Sequence, residues 1–209
     1  MLLKTAIRII LHEKTKFLGA VAGVALAMFL VFLQWGFYFG YRRDTSVVLD
    51  AFDADIWIVP KGQTTFDGFT TIDDLAYWKA KDLPDIQKAA RVVWGIAPFR
   101  HLVNGAAQRV QILGVEFESG IKVNLDAGDG DLASLVRPDG CILVGRKSQR
   151  QLGVYETYVD GVEILGRRAV VVGFVENVHL FTTLGFVATG LDNARAFLGL
   201  SSSHVTYVA

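Results

Sequence analysis

The stretch FLGAVAGVALAMFLVFLQWGFYFGY (residues 17–41) decides the organisation of this chain. It carries no charge over 25 positions, and Gln34 is its only strongly polar side chain. A helix needs about 20 apolar residues to cross the roughly 30 Å hydrocarbon core of a bilayer. The stretch is long enough, so we predict a membrane-spanning helix over residues 17–41.

A cleaved signal peptide is the alternative interpretation of this stretch. Ala25, Leu26 and Ala27 form a small-x-small sequence like those at signal cleavage sites. The apolar sequence nevertheless continues for about fourteen residues after Ala27, whereas the apolar part of a signal peptide ends at its cleavage site. We therefore expect an uncleaved anchor.

The basic residues around the span predict its orientation. Four precede it and two follow it directly: Lys4, Arg8, Lys14 and Lys16, then Arg42 and Arg43. Because cytoplasmic flanks carry the excess of Lys and Arg, we expect a cytoplasmic N-terminus and a periplasmic main domain. Residues 1–16 also separate an apolar face from a basic one. They form either an amphipathic segment on the inner membrane surface or an inward continuation of the helix.

Small residues recur at helical spacing inside the span. Gly19, Gly23 and Ala27 lie four apart, and Gly36 and Gly40 form a second pair. Such spacing lets another membrane helix approach closely. We predict that these five residues pack against a partner helix.

Residues 42–209 are long enough to form a folded domain outside the membrane. Hydrophobic residues make up 52% of the whole chain, which excludes an intrinsically disordered protein. Beyond residue 43 the chain holds 15 basic and 20 acidic residues, so we expect no nucleic-acid-binding surface. Cys141 is the single cysteine, which excludes a disulfide within the chain and a cysteine-rich metal site.

Sequence patterns indicate the elements of this domain. We predict strands at 54–59, 91–103, 107–115, 141–144, 162–165, 169–175, 186–188 and 204–208. We predict helices at 72–82, after a sequence resembling a capping box at Thr71 to Asp74, at about 146–152, and from a cap at Asp192 to Gly199. Strands and helices mix without regular alternation, which favours the α+β class.

The motifs that resemble catalytic or binding sites are incomplete. GCILVGRKS (residues 140–148) resembles a phosphate-binding loop, but its lysine is misplaced and its interior is typical of a buried strand. Ser119 and Lys122 match S-x-x-K without the partner motifs of that enzyme class. Asp126, Asp129 and Asp131 lack the glutamate that a calcium loop needs at its twelfth position. The four histidines lack metal-ligand spacing, so we expect no catalytic residue, cofactor or metal.

An ordered set of segments resembles the N-terminal part of MacB/FtsX-type ABC transporter permeases, most of all the DevC-like exporters. The matching segments, in chain order, are 12–37, 53–62 (DADIWIVPKG), 90–99 (ARVVWGIAPF), 110–117 (VQILGVEF), 160–175 (DGVEILGRRAVVVGFV), 186–200 (FVATGLDNARAFLGL) and 205–209 (VTYVA). They resemble the basic entry and first membrane helix, then successive strands and the end of the MacB-like periplasmic core domain.

This resemblance implies a truncated permease subunit in the bacterial inner membrane, with a core domain at 42–209 of two subdomains, one inserted near 117–180. Three further membrane helices would follow Ala209. A separate cytoplasmic ABC ATPase would hydrolyse ATP, and a permease homodimer would act on a periplasmic adaptor protein. The cargo would be a lipid, a glycolipid or another amphipathic molecule.

The residues also allow two other functions. The helix could serve only as a tether for a periplasmic binding or assembly module. An anchored hydrolase using Ser119 or a pair of acids is the third possibility. The permease interpretation differs from both in requiring partner helices for the span.

Overall fold

The computed structural model describes residues 14–63, 70–101, 105, 107–128, 131–176, 178 and 184–209. The chain divides into two compact units, Met1–Asp44 and Thr45–Ala209. Its helices are α1 (Lys14–Asp50), α2 (Leu75–Lys81), α3 (Leu132–Val136), α4 (Gln149–Leu152) and α5 (Leu191–Leu198). Its strands are β1 (Ile72–Asp73), β2 (Arg91–His101), β3 (Ala107–Val115), β4 (Cys141–Gly145), β5 (Val159–Ile164), β6 (Arg167–Val175), β7 (Gly185–Gly190), β8 (His204–Val205) and β9 (Tyr207–Val208).

The apolar stretch lies within one long helix. α1 runs from Lys14 to Asp50 without a break, and it contains no proline. The predicted helix over 17–41 is therefore confirmed as a helix, and it continues nine residues further to Asp50.

Seven strands of the second unit form one mixed sheet in the order β3-β7-β4-β6-β5-β2-β9. β2 also pairs with β3, so six of these strands close into a ring among the described residues. The length of β2 makes this possible. β3 pairs with it from Val92 to Arg100, whereas β5 pairs only with its last residues and β9 only with its first two. Both parallel and antiparallel pairings occur, which confirms the α+β class.

Alternation along the strands divides the core into two clusters. On β2, Val93 and Phe99 belong to one cluster, and Val92 and Trp94 to the other. Successive side chains of a strand point to opposite faces, so a strand with both faces covered reads as a continuous apolar run. This explains the apolar sequence CILV of β4, whose residues are all buried.

α5 packs closely onto the sheet because two strand positions carry no side chain. A Cβ atom at Gly114 would lie 2.1 Å from the Cβ of Ala194, and one at Gly95 would lie 2.8 Å from a methyl group of Leu198. Glycine at 114 therefore sets the distance between the helix and the sheet, whereas glycine at 95 leaves room for the side chain of Leu198.

The strand predictions for β2 to β7 are confirmed: β3 has the predicted ends, and the described ends of the other strands differ from the predicted ones by at most three residues. Residues 102–104 and 106, which include the predicted end of the strand at 91–103, lie outside the described residues. The two-residue turn of the β5–β6 hairpin is formed by Leu165 and Gly166, both with positive φ. Arg167 and Arg168, which we expected in the turn, belong to β6.

The strand predicted at 54–59 is wrong. Ile58 forms an isolated bridge to Val208, and the segment joins no longer ladder. β9, the strand beside this segment, is only two residues long, and its one bridge to Ile58 is not extended along residues 54–59. Ile56 and Val59 are accordingly exposed despite the strand-like sequence.

Two predicted helix starts are also wrong. Ile72 and Asp73 pair with β8 instead of beginning a helix, and Asp74 makes no side-chain cap bond. α5 begins after Gly190, directly from the end of β7, so Asp192 lies in its first turn and not at its cap. The predicted last strand is interrupted at Thr206.

Thr45–Ala209 forms one compact unit, and β4 to β6 share the sheet of β2 and β3. The divisions at 1–16, 17–41 and 42–209, and an inserted subdomain near 117–180, stay predictions.

Candidate functional site

The outer surface of α1 is apolar around its whole circumference. Between Lys14 and Arg42 the helix is long and apolar enough to cross a membrane, and none of its side chains there is buried by the described residues. A helix that is apolar on all sides is stable in a bilayer or among other helices, but not in water. The surface therefore suits contact with lipid and with partner helices.

The small residues predicted to pack against a partner form two groups on this surface. No atom of the described residues lies within 4 Å of a Cβ built on Gly19, Gly23, Gly36 or Gly40, apart from neighbours along the helix itself. At about 100° of rotation per residue, the group of Gly19, Gly23 and Ala27 points roughly 120° away from the pair Gly36 and Gly40. The two groups thus belong to different faces of α1.

Aromatic residues mark one end of the apolar span, a feature that the glycine pattern alone does not show. Trp35, Tyr38 and Tyr41 are exposed, and the Trp35 and Phe39 rings meet edge to face at 6.1 Å. Trp and Tyr concentrate at the membrane–water interface. From Lys16 to Trp35 the helix rises about 29 Å, which matches the thickness of a bilayer core. The spacing of these aromatic residues is a sequence signal that could have narrowed the predicted span.

The second unit contains a network of ion pairs centred on Asp74. Its carboxylate accepts from Arg91 at 2.9 Å and from Arg195 at 3.0 Å. Arg91 also donates to both carboxylate oxygens of Glu116, and these hydrogen bonds, with Asp74, raise the pKa of Arg91. The side chain of Arg195 is only 7% exposed. The network joins β2 and α5 to the residues directly before α2 and directly after β3, so we interpret it as a structural link between these elements.

Two shallow grooves lie on the surface of the second unit. The larger, about 400 Å³, lies between residues 53–58, 85–89 and 120–122. It mixes the carboxylates of Asp53, Asp55 and Asp85 with the amines of Lys88 and Lys122. The smaller, about 200 Å³, borders the Arg91–Glu116 pair. Both grooves are lined by acidic and basic side chains together, so the charge of neither groove indicates a particular ligand.

The other motifs that the sequence offered do not assemble into a site. Residues 141–145 of the phosphate-loop-like sequence form the buried strand β4. Ser119 lies in a single 3-10 turn, where its hydroxyl accepts from the backbone of Ile121. Asp126 accepts from the backbone amide of Gly128, and Asp131 caps α3 by accepting from the amide of Ser134. Asp129 lies outside the described residues. Within the described residues, no three His, Cys, Asp or Glu side chains are placed to hold a metal ion.

Cys141 is buried at the start of β4. Burial raises the pKa of its thiol, and the charge of Asp139 raises it further. The thiolate is the reactive form of cysteine, so burial and the raised pKa together predict that this thiol reacts slowly at neutral pH.

No protein-family model and no curated protein matches this chain. Solved structures do resemble it in part. The extracellular domain of the noncanonic ABC-type transporter YknZ from Gram-positive bacteria matches with a TM-score of 0.49 and 11% identity, over 66% of this chain and 71% of that one. The periplasmic region of MacB from Actinobacillus actinomycetemcomitans matches with a TM-score of 0.48 and 11% identity, over 66% and 63%.

A third structure is a domain assigned to a permease of Porphyromonas gingivalis, with a TM-score of 0.42 and 13% identity over 61% of each chain. The matches to the second and third structures cover less than two thirds of those chains.

Proposed function

We propose that this chain is the N-terminal part of a MacB/FtsX-type ABC exporter permease of the DevC-like kind. α1 anchors it in the bacterial inner membrane with the N-terminus in the cytoplasm. The unit Thr45–Ala209 lies in the periplasm. The ordered segments between residues 12 and 209 support this assignment.

The observation that carries the proposal is the continuity of α1. The same unbroken helix contains the uncharged span and, at Val48, a residue that is buried in the folded domain. A protein that needs only a tether has no requirement for this, because a flexible linker serves equally well. A permease does have such a requirement, since displacement of a membrane helix must reach the domain as a rigid-body movement.

The proposal assigns the chemistry to partners. A separate cytoplasmic ABC ATPase hydrolyses ATP, and a second permease copy packs against the small-residue faces of α1. A periplasmic adaptor protein receives the motion of the domain. The exported cargo is a lipid, a glycolipid or another amphipathic molecule.

A first test reads the gene beyond the codon for Ala209. We expect an open frame that encodes three further apolar spans. A stop codon at once, with no such spans downstream, would favour a single-span binding or assembly module.

A second test separates coupling from tethering. A flexible Gly/Ser insertion between Arg43 and Asp44 interrupts the helix, while a helical insertion of about seven residues adds roughly two full turns and preserves it. Both are made in the native gene, with any sequence after residue 209 left in place. We expect the helical insertion to complement a gene deletion and the flexible one to fail at equal membrane abundance. Full complementation by the flexible variant would show that α1 is only a tether.

A further inference from the structure

Residues 51–58 connect the last turn of α1 to the last strand of the domain. Val48, Ala51 and Phe52 are buried in the core cluster that also contains Tyr207. The segment therefore touches both the first and the last parts of the unit Thr45–Ala209.

The beginning of this segment is held by backbone hydrogen bonds. The amide of Asp53 donates to the carbonyl of Lys122 at 3.0 Å, and the amide of Asn124 donates to the carbonyl of Ala51 at 2.7 Å. Phe52 and Val123 thus form an antiparallel bridge. These bonds fix the chain directly after α1 to the loop that follows β3.

The end of the segment is held by the last strand. Ile58 donates to the carbonyl of Val208 at 2.8 Å and accepts from its amide at 3.1 Å. β9 is paired on its other side with β2, and Ala209 exchanges both backbone hydrogen bonds with Ala90. The segment is therefore continuous with the edge of the main sheet.

Trp57 joins the two ends through its ring. It meets Phe52 edge to face at 5.1 Å and Tyr207 edge to face at 6.4 Å. Edge-to-face pairs of aromatic rings stabilise a fold beyond the area that they bury. Tyr207 is fully buried, so the row of three rings runs from the end of α1 into the core.

We infer that Trp57 locks the segment after α1 to the last strand, so that residues 51–58 and 204–209 open and move as one unit. A displacement at the end of α1 then reaches the β2–β9 edge of the sheet before it reaches the rest of the ring. This use rests on the proposed function. The lock itself belongs to the domain and holds equally for a tethered binding module.

Hydrogen exchange of the full chain in lipid nanodiscs, followed by mass spectrometry, tests the inference. In Trp57→Ala we expect peptides covering 51–58 and 204–209 to exchange about tenfold faster, because both ring contacts are lost. Peptides from β3 and β7 should keep the parent rate. The matched control is Trp78→Ala, which removes an exposed tryptophan of α2 and should change neither peptide.

Two outcomes would overturn the inference. The first is faster exchange at 51–58 with 204–209 unchanged, which would show that the two segments open independently. The second is an equal rise across the whole sheet, which would make Trp57 an ordinary core residue. If Trp57→Ala does not purify as a folded protein, Trp57→Phe is tested in its place, because phenylalanine keeps one aromatic ring. We then expect the peptides covering 51–58 and 204–209 to exchange about two- to threefold faster, with the β3 and β7 peptides unchanged. None of these measurements depends on ATP, cargo or a partner, so they are independent of the proposed function.

Discussion

The carboxylate of Asp74 binds two guanidinium groups that come from different parts of the chain. Arg91 lies on β2 and Arg195 on α5, and both are largely buried at these contacts. Removing one partner of a buried ion pair leaves the other charge without compensation, which costs far more than the loss of an exposed pair. The network is therefore a sensitive point of the domain.

We predict that Asp74→Asn lowers the free energy of unfolding by about 2 kcal/mol, or roughly 4–8 °C in melting temperature for a domain of this size. Asp192→Asn is the control, because the Asp192 carboxylate also pairs with Arg195 but its side chain is 94% exposed. Its effect should stay within about 0.5 kcal/mol. Tryptophan fluorescence during heating in detergent measures both. Equal shifts for the two variants would contradict a structural role for the network.

The buried thiol of Cys141 gives a prediction on reactivity and pH. Burial raises the pKa of this thiol, so the folded state favours the neutral form. The free energy of unfolding is therefore at its full value at neutral pH, and it falls as the pH rises above the ordinary cysteine pKa and through the raised pKa of the folded state. Labelling of the folded chain by a maleimide at pH 7 should be at least about tenfold slower than labelling in urea. Mass spectrometry measures both rates, and equal rates would show that the thiol is accessible.

At the scale of elements, the approach of α5 to the sheet depends on Gly114. Gly114→Ala places a methyl group against Ala194, whose Cβ and backbone cannot move without shifting the helix. We expect a loss of about 1–3 kcal/mol. Gly95→Ala is the matched control, since its methyl group meets only the flexible tip of Leu198. Thermal unfolding compares them, and a smaller effect at Gly114 than at Gly95 would argue against this packing.

The small-residue face of α1 gives a second prediction at this scale. Gly19→Ile together with Gly23→Ile should weaken association between copies of the chain about fivefold or more, because the branched side chains keep another helix at a distance. Val21→Ile is the control, because the exposed side chain of Val21 lies about 180° around the helix from the Gly19–Gly23 pair. Energy transfer between labelled copies in liposomes measures association. Unchanged transfer would mean that this face contacts lipid, and the packing role would be wrong.

Several elements could be predicted from short-range patterns because the information is local. β2, β3 and β4 follow from apolar runs bounded by turn residues, and α1 follows from an uncharged stretch. The start of α2 could not be predicted in this way. The predicted helix began at Ile72, but Ile72 and Asp73 pair with β8, about 130 residues further along the chain, and the helix begins only after Asp74. The carboxylate of Asp74 binds Arg91 and Arg195, the second of which lies 121 residues further along the chain.

At the scale of the whole molecule, the chain should have one defined topology. We expect alkaline phosphatase fused after Ala209 to be active, since it would be periplasmic, and the same enzyme fused after Lys16 to be inactive. The activity of whole cells measures both fusions at equal expression. Activity only in the second fusion would reverse the orientation. Loss of an N-terminal tag from the mature chain would indicate a cleaved signal peptide in place of the anchor.

The sequence by itself determined the apolar helix, most strands and the α+β class, because charge, hydropathy and strand alternation are properties of neighbouring residues. Only the tertiary structure decided the closure of six strands into a ring, the role of Asp74 and the contacts of Trp57. Residues 54–59 show the reason most directly. Their sequence favours a strand, but whether a strand forms depends on the partner that the rest of the chain supplies, and β9 supplies two residues.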